Sequence, residues 1–178
     1  MRRAVLILAV LAGCTAAGPQ GAEPAGVARS LSFEAKSWGK PLSAWTIESS
    51  GSGHYTQSKA APSGNFRDYD LVTRSFRVRP ADYRRVEALL APARTHAGSD
   101  LPCERTVTDQ VYGKVSWNGP DGTRQVAFDL GCTSAAVAPL YDGFAGAEKL
   151  VEGLARAGTV VETREVREGR QGARPTSP

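Results

Sequence analysis

Few residues in this 178-residue chain could do chemistry, and their spacing decides what kind. Ser37-Trp38-Gly39-Lys40 has the Ser-x-x-Lys spacing in which a lysine activates a nucleophilic serine, and Ser63-Gly64-Asn65 has the look of a second serine motif. That chemistry requires the serine to open a buried helix and also needs a Lys-Thr-Gly triplet, which the sequence lacks. The match therefore reads as chance. His54 and His96 are the only histidines, too far apart for the short spacings of a metal-binding pair. A triad would need one of them beside a nucleophile and an orienting acid; each reads as a loop or strand residue. Asp109, ahead of Tyr112-Gly113, and Asp129, ahead of Gly131-Cys132, could form a carboxylate pair only at about 5–10 Å in a cleft. Their plainer roles are to cap a turn and to end a strand. No catalytic residue, metal or cofactor is expected. Trp45, Tyr55, Tyr112 and Trp117 are the candidate binding residues, because large rigid rings contact a partner at little entropic cost. Trp38 is the other distinctive aromatic.

Elements that would position these residues follow from periodicity. Leu42 to Ser49 alternates as a strand, Ser50-Gly51-Ser52-Gly53 turns, and His54 to Gln57 returns. Tyr69 to Val78 is a third strand. Pro80-Ala81-Asp82 opens a helix carrying Tyr83, Val86, Leu89 and Leu90 as its apolar stripe, with Pro92 as its end. Val111 to Trp117 and Thr123 to Leu130 form a hairpin around Asn118-Gly119-Pro120-Asp121-Gly122, with Val126, Phe128 and Leu130 inward. Phe144, Ala147, Leu150, Val151 and Leu154 space out as a second helix closed by Gly158. The order β-β-β-α-β-β-α predicts a single α+β domain, an antiparallel sheet with the helices packed on one face.

The chain is 41% hydrophobic and 22% charged, with a net charge of +4. This composition excludes a disordered chain and a multi-span membrane protein. Met1-Arg2-Arg3 and the apolar run Ala4 to Ala12 read as a secretory signal, far short of the roughly 20 residues of a permanent span. Leu11-Ala12-Gly13-Cys14 resembles the lipobox of bacterial lipoproteins. The resemblance implies cleavage between Gly13 and Cys14, a diacylglycerol thioether with further acylation (palmitate-type) on Cys14, and a cell-envelope location. Thr15 after the cysteine favours the outer membrane, facing the periplasm, in a diderm cell. Loss of residues 1–13 takes Arg2 and Arg3 away and brings the 22 basic residues close to the 18 acidic ones. No clustered basic face remains for nucleic acid.

With Cys14 lipidated, Cys103 and Cys132 are left in an oxidising compartment, where a disulfide is expected. It would close a loop of about 28 residues, worth roughly 3.6 kcal/mol by chain entropy. Residues 14–30, small and rich in Pro and Gly, read as the lipidated end and a tether. Residues 31–161 are the expected domain and 162–178 a disordered tail. Phe76-Arg77-Val78 ahead of Tyr83, Cys103 with Asp109-Gln110-Val111-Tyr112-Gly113, and Asp129-Leu130-Gly131-Cys132 make the mature part similar to small uncharacterised bacterial lipoprotein domains. That likeness implies the fold and the disulfide and carries no activity.

The expected function is a lipid-anchored, non-catalytic binding or scaffolding module whose partner is an envelope protein or peptidoglycan. An inhibitor of an envelope hydrolase (a lysozyme or a protease) is the alternative, acting through Ala93 to Cys103 or Asn118 to Gly122. A hydrolase using Asp109 or His54 comes last.

Overall fold

The computed structural model describes residues 28–167. Alternation of apolar and polar side chains along them builds β1 (Ser30–Ser37), β2 (Lys40–Glu48), β3 (Ser52–Ala60), β4 (Tyr69–Arg77), α1 (Pro80–Arg94), β5 (Arg105–Thr106), β6 (Tyr112–Gly119), β7 (Gly122–Asp129), β8 (Cys132–Thr133), α2 (Ala138–Ala155) and β9 (Thr159–Val166). Seven strands form one antiparallel sheet in the order β7-β6-β1-β2-β3-β4-β9, and β5 and β8 form a two-stranded ladder beside it. The architecture is α+β, as expected.

Every second residue of the central strands points at the helices. Leu31, Phe33 and Ala35 of β1, Trp45 and Ile47 of β2, Val115 and Trp117 of β6, and Val126 and Phe128 of β7 are buried in one cluster. Tyr83, Val86, Leu90 and Ala93 of α1 and Leu140, Phe144, Ala147, Val151 and Ala155 of α2 complete it. Gly53 exists to admit a ring: a Cβ there would stand 2.5 Å from Phe76. Cys103 and Cys132 are joined, with Cα atoms 5.3 Å apart, and pin the segment before β5 to β8.

Several expectations need correction. The domain starts before residue 31, since Ala28 is buried and Ser30 already opens β1. It also runs past 161, because residues 162–166 belong to β9, not to a disordered tail. An edge strand exposed along its length shows no apolar alternation, which is why Thr159–Val166 does not announce itself. The observed order therefore adds β1, β5, β8 and β9 to the seven elements read from sequence. Pro92 lies inside α1, which continues to Arg94. So near the end, a proline deletes only one helical hydrogen bond. Leu130 is exposed, because β7 ends at Asp129, whose Oδ1 accepts from the Gly131 N–H at 2.8 Å to close a turn. The expected signal peptide at 1–13, Cys14 with its expected lipid, most of the expected tether, and residues 168–178 lie outside the described residues.

Candidate functional site

The helices cover one face of the sheet and leave the other open. Register fixes what that open face carries. Ser116, Ser32, Thr46, His54 and Ser75 stand directly opposite one another across β6, β1, β2, β3 and β4. The next row holds Lys114, Glu34, Ala44, Thr56 and Thr73, with the Thr56 and Thr73 hydroxyls 2.9 Å apart. Small side chains in the middle of both rows leave a groove of about 270 Å³ lined by Ser32, Glu34, Ala44, Thr46, His54, Thr56 and Lys114. It offers hydroxyl donors and acceptors, one imidazole, one carboxylate and one ammonium. No large apolar side chain of the open face enters it.

Aromatic groups collect at one end of this face. Trp38 and Gly39 make the two-residue turn from β1 to β2, both at positive φ, 52° and 76°. Such a turn matches the twist of the flanking strands, and asparagine-glycine is its usual occupant. A tryptophan there is an outlier, and at 71% exposure it recovers nothing by burial. Tyr112, on the open face, accepts a hydrogen bond on its hydroxyl from the Gly39 N–H at 3.1 Å. Beside it Lys36 pairs with Glu34, and that hydrogen bond holds the ammonium above its ordinary value. Lys40 lies 4.5 Å from the ring centre of the exposed Phe66 and 4.9 Å from that of Tyr69, a cation–π pair.

At the other end, His54 and Ser75 border a wide hollow of about 900 Å³ with Ser52, Arg77, Arg79 and Thr159. Arg79 donates to the buried Asp82 at 2.7 Å, which holds that carboxyl below its ordinary value. The exposed Arg77 lines the hollow beside it.

Of the four aromatic residues expected to bind, only Tyr112 is on the surface. Trp45, Tyr55 and Trp117 are core residues, 2%, 4% and 1% exposed. They point at the helices, where their volume is needed. Trp45 and Tyr55 keep their polar tips satisfied through a residue the sequence reading missed. Glu148 of α2 accepts from Trp45 Nε1 at 2.7 Å and from the Tyr55 hydroxyl at 3.0 Å. Burial, and then the Glu148 charge, pushes the Tyr55 phenol well above its ordinary value. Nothing in the spacing of residues 45, 55 and 148 could have revealed this. Trp38 could have been found, since an exposed ring in a tight turn is legible once β1 is recognised.

The catalytic candidates are not brought together. His54 lines the groove, whereas Asp109 sits at φ 66° in the loop before β6 and is absent from its lining. Asp129 is occupied with the Gly131 turn. His96 lies in the turn after α1, where its carbonyl accepts from Ser99. Ser37 and Lys40 are the paired ends of a hairpin, and the Ser63 hydroxyl donates to Asp68 in a surface turn. Among the described residues no three His, Cys, Asp or Glu side chains cluster to hold a metal ion, and no helix is long and apolar enough to cross a membrane. Compared with protein-family models, curated proteins and solved structures, the chain matches none.

Proposed function

We propose that this chain is a lipid-anchored envelope module that binds peptidoglycan with the open face of its sheet. The observation that carries the reading is Trp38, exposed and held in left-handed backbone in the turn between β1 and β2, the two strands that supply most of the hydroxyl-lined groove. Left-handed backbone costs a non-glycine residue about 1–2 kcal/mol, and residues so held cluster where they contact ligands. Rings that stack on sugar faces, beside hydroxyl and charged groups that bond to sugar hydroxyls and peptide carboxylates, are what a glycan–peptide polymer requires. Anchor geometry agrees with this. β1 begins at Ser30, at the end of the sheet opposite Trp38, and its eight residues span about 26 Å. A tether from Cys14 would join the domain at that end and leave the Trp38 end free of it.

The inhibitor reading draws less support. Residues 93–103 are held against the sheet edge, with the Gly98 N–H donating to the Gln125 carbonyl at 3.2 Å.

Co-sedimentation of the full-length chain with isolated peptidoglycan sacculi tests the proposal. The expected result is pelleting that Trp38→Ala weakens and Thr46→Arg, which fills the groove, abolishes, while Arg84→Ala on exposed α1 changes nothing. Failure of the wild type to pellet, or equal pelleting of all variants, would overturn it.

A further inference from the structure

The two edges of the large sheet are not alike. β7 is met on its outer side by the 93–103 segment at one point, the Gly98–Gln125 hydrogen bond. β9 ends the sheet on the other side, and every residue from Thr159 to Glu165 is exposed, Val160 and Val161 at 44% and 55%. Natural sheets blunt such edges with bulges, prolines and inward-pointing charges. β9 has one such device: between Thr73 and Arg74 the register slips, leaving Val161 without a partner on β4. Beyond that bulge, Glu162 to Val166 runs in unbroken register and presents backbone groups outward that have no ladder partner among the described residues.

We infer that the β9 edge pairs with the β9 edge of a second copy of this chain, antiparallel, about a two-fold axis at Thr163. The charges choose this partner and this register. Glu162 and Arg164 lie opposite Thr73 and Leu71, so both stand on the open face. Neither makes an ion pair among the described residues, whereas Glu165 already lies 3.4 Å from Arg167. With the axis at Thr163, Glu162 of each copy stands opposite Arg164 of the other, giving two cross-strand opposite-charge pairs. An axis at Arg164 sets two arginines face to face, and an axis at Glu162 sets two glutamates face to face. An axis midway between two residues is excluded, because it would set open-face side chains opposite covered-face ones, whereas directly opposed antiparallel residues share a face. Only one register is favourable, and the Val161 bulge keeps the pairing short and closed. Because an antiparallel pair is related by an axis perpendicular to the sheet, the two open faces would lie side by side on one surface. This inference stands independently of what that surface binds.

Sedimentation equilibrium of the full-length chain in detergent, with cysteine crosslinking, tests it. The expected result is a dimer, with Thr163→Cys giving an intermolecular disulfide, since directly opposed strand residues fall within bridging distance. Glu165→Cys should give none. Glu162→Arg and Arg164→Glu should each weaken association about tenfold or more, and the double exchange E162R/R164E should restore it. These residues are exposed, so the variants keep the fold, which circular dichroism verifies. A monomeric wild type would overturn the inference. So would a dimer indifferent to charge reversal, or one that crosslinks at Glu165→Cys and not at Thr163→Cys.

Discussion

The two faces of the same seven strands obey different rules. On the covered face, Phe33 stacks on Trp45 and on Phe128 with ring centres 5.7 and 5.5 Å apart, and Phe128 reaches Phe144 of α2 at 5.1 Å. Identity there is dictated by volume, because interiors are packed close to crystalline density. One residue along each strand, the open face carries Ser32, Glu34, Thr46, His54 and Lys114, whose identities no packing partner dictates. A one-residue slip would exchange the two sets, so the covered face alone fixes register. The open face is left free to be shaped by what it touches. The comparison teaches that packing constraint divides here by strand parity.

The largest expected effect breaks the covered face. Trp117→Ala should cost roughly 3–5 kcal/mol, while Thr46→Ala, across the sheet, should stay within about 0.5 kcal/mol. Urea unfolding of both variants measures the contrast, and equal losses would erase the distinction between faces. Next comes a polar cluster on the covered side. Glu148→Ala would leave Trp45 Nε1 and the Tyr55 hydroxyl without their acceptor, at a cost of about 1–3 kcal/mol, again read by denaturant unfolding.

Alkaline pH probes that same cluster. Folded Tyr55 keeps its proton at pH values where an unfolded tyrosine, with its ordinary value near 10, releases it. The stability tied to this group is full below about pH 10 and is lost as pH rises above it, by at most ~1.4 kcal/mol per pH unit. Thermal unfolding from pH 8 to 11 should show the decline, and Tyr55→Phe should flatten most of it. Tyr141, raised by burial and by Asp129, and Lys36, raised by its hydrogen bond to Glu34, contribute to the remainder.

The smallest effect sharpens the comparison most. Trp38→Asn places the preferred residue in the left-handed turn and should raise stability by about 1 kcal/mol. The same change removes a ring from the binding end. Calorimetric melting beside sacculus pelleting should therefore show a gain in stability with a loss of binding.

How much was legible follows the same division. The β6–β7 hairpin was readable because Val115, Trp117, Val126 and Phe128 alternate around a Gly- and Pro-containing turn. Both helices were readable from their apolar stripes, and the Cys103–Cys132 bond from cysteine count and the expected compartment. β1 was lost at the border of a Pro- and Gly-rich stretch, although Leu31, Phe33 and Ala35 alternate. β9 was lost because an exposed edge has no buried face to betray it. Reading Trp45, Tyr55 and Trp117 as binding residues failed for another reason: ring chemistry is the same in a core as in an interface. Tertiary burial separates the two, and for Trp45 and Tyr55 the placement of Glu148, 103 positions from Trp45, completes it.

The most direct test of the central claim is residue-resolved. Amide and indole NMR shifts of the full-length chain, titrated with a soluble peptidoglycan fragment, report which strand parity meets the ligand. The account predicts changes at Ser32, Glu34, Thr46, Thr56 and Lys114 and at the Trp38 indole, with Leu31, Ile47 and Val115 little affected. Changes confined to the helices or to residues 93–103, or none at saturating fragment, would contradict it.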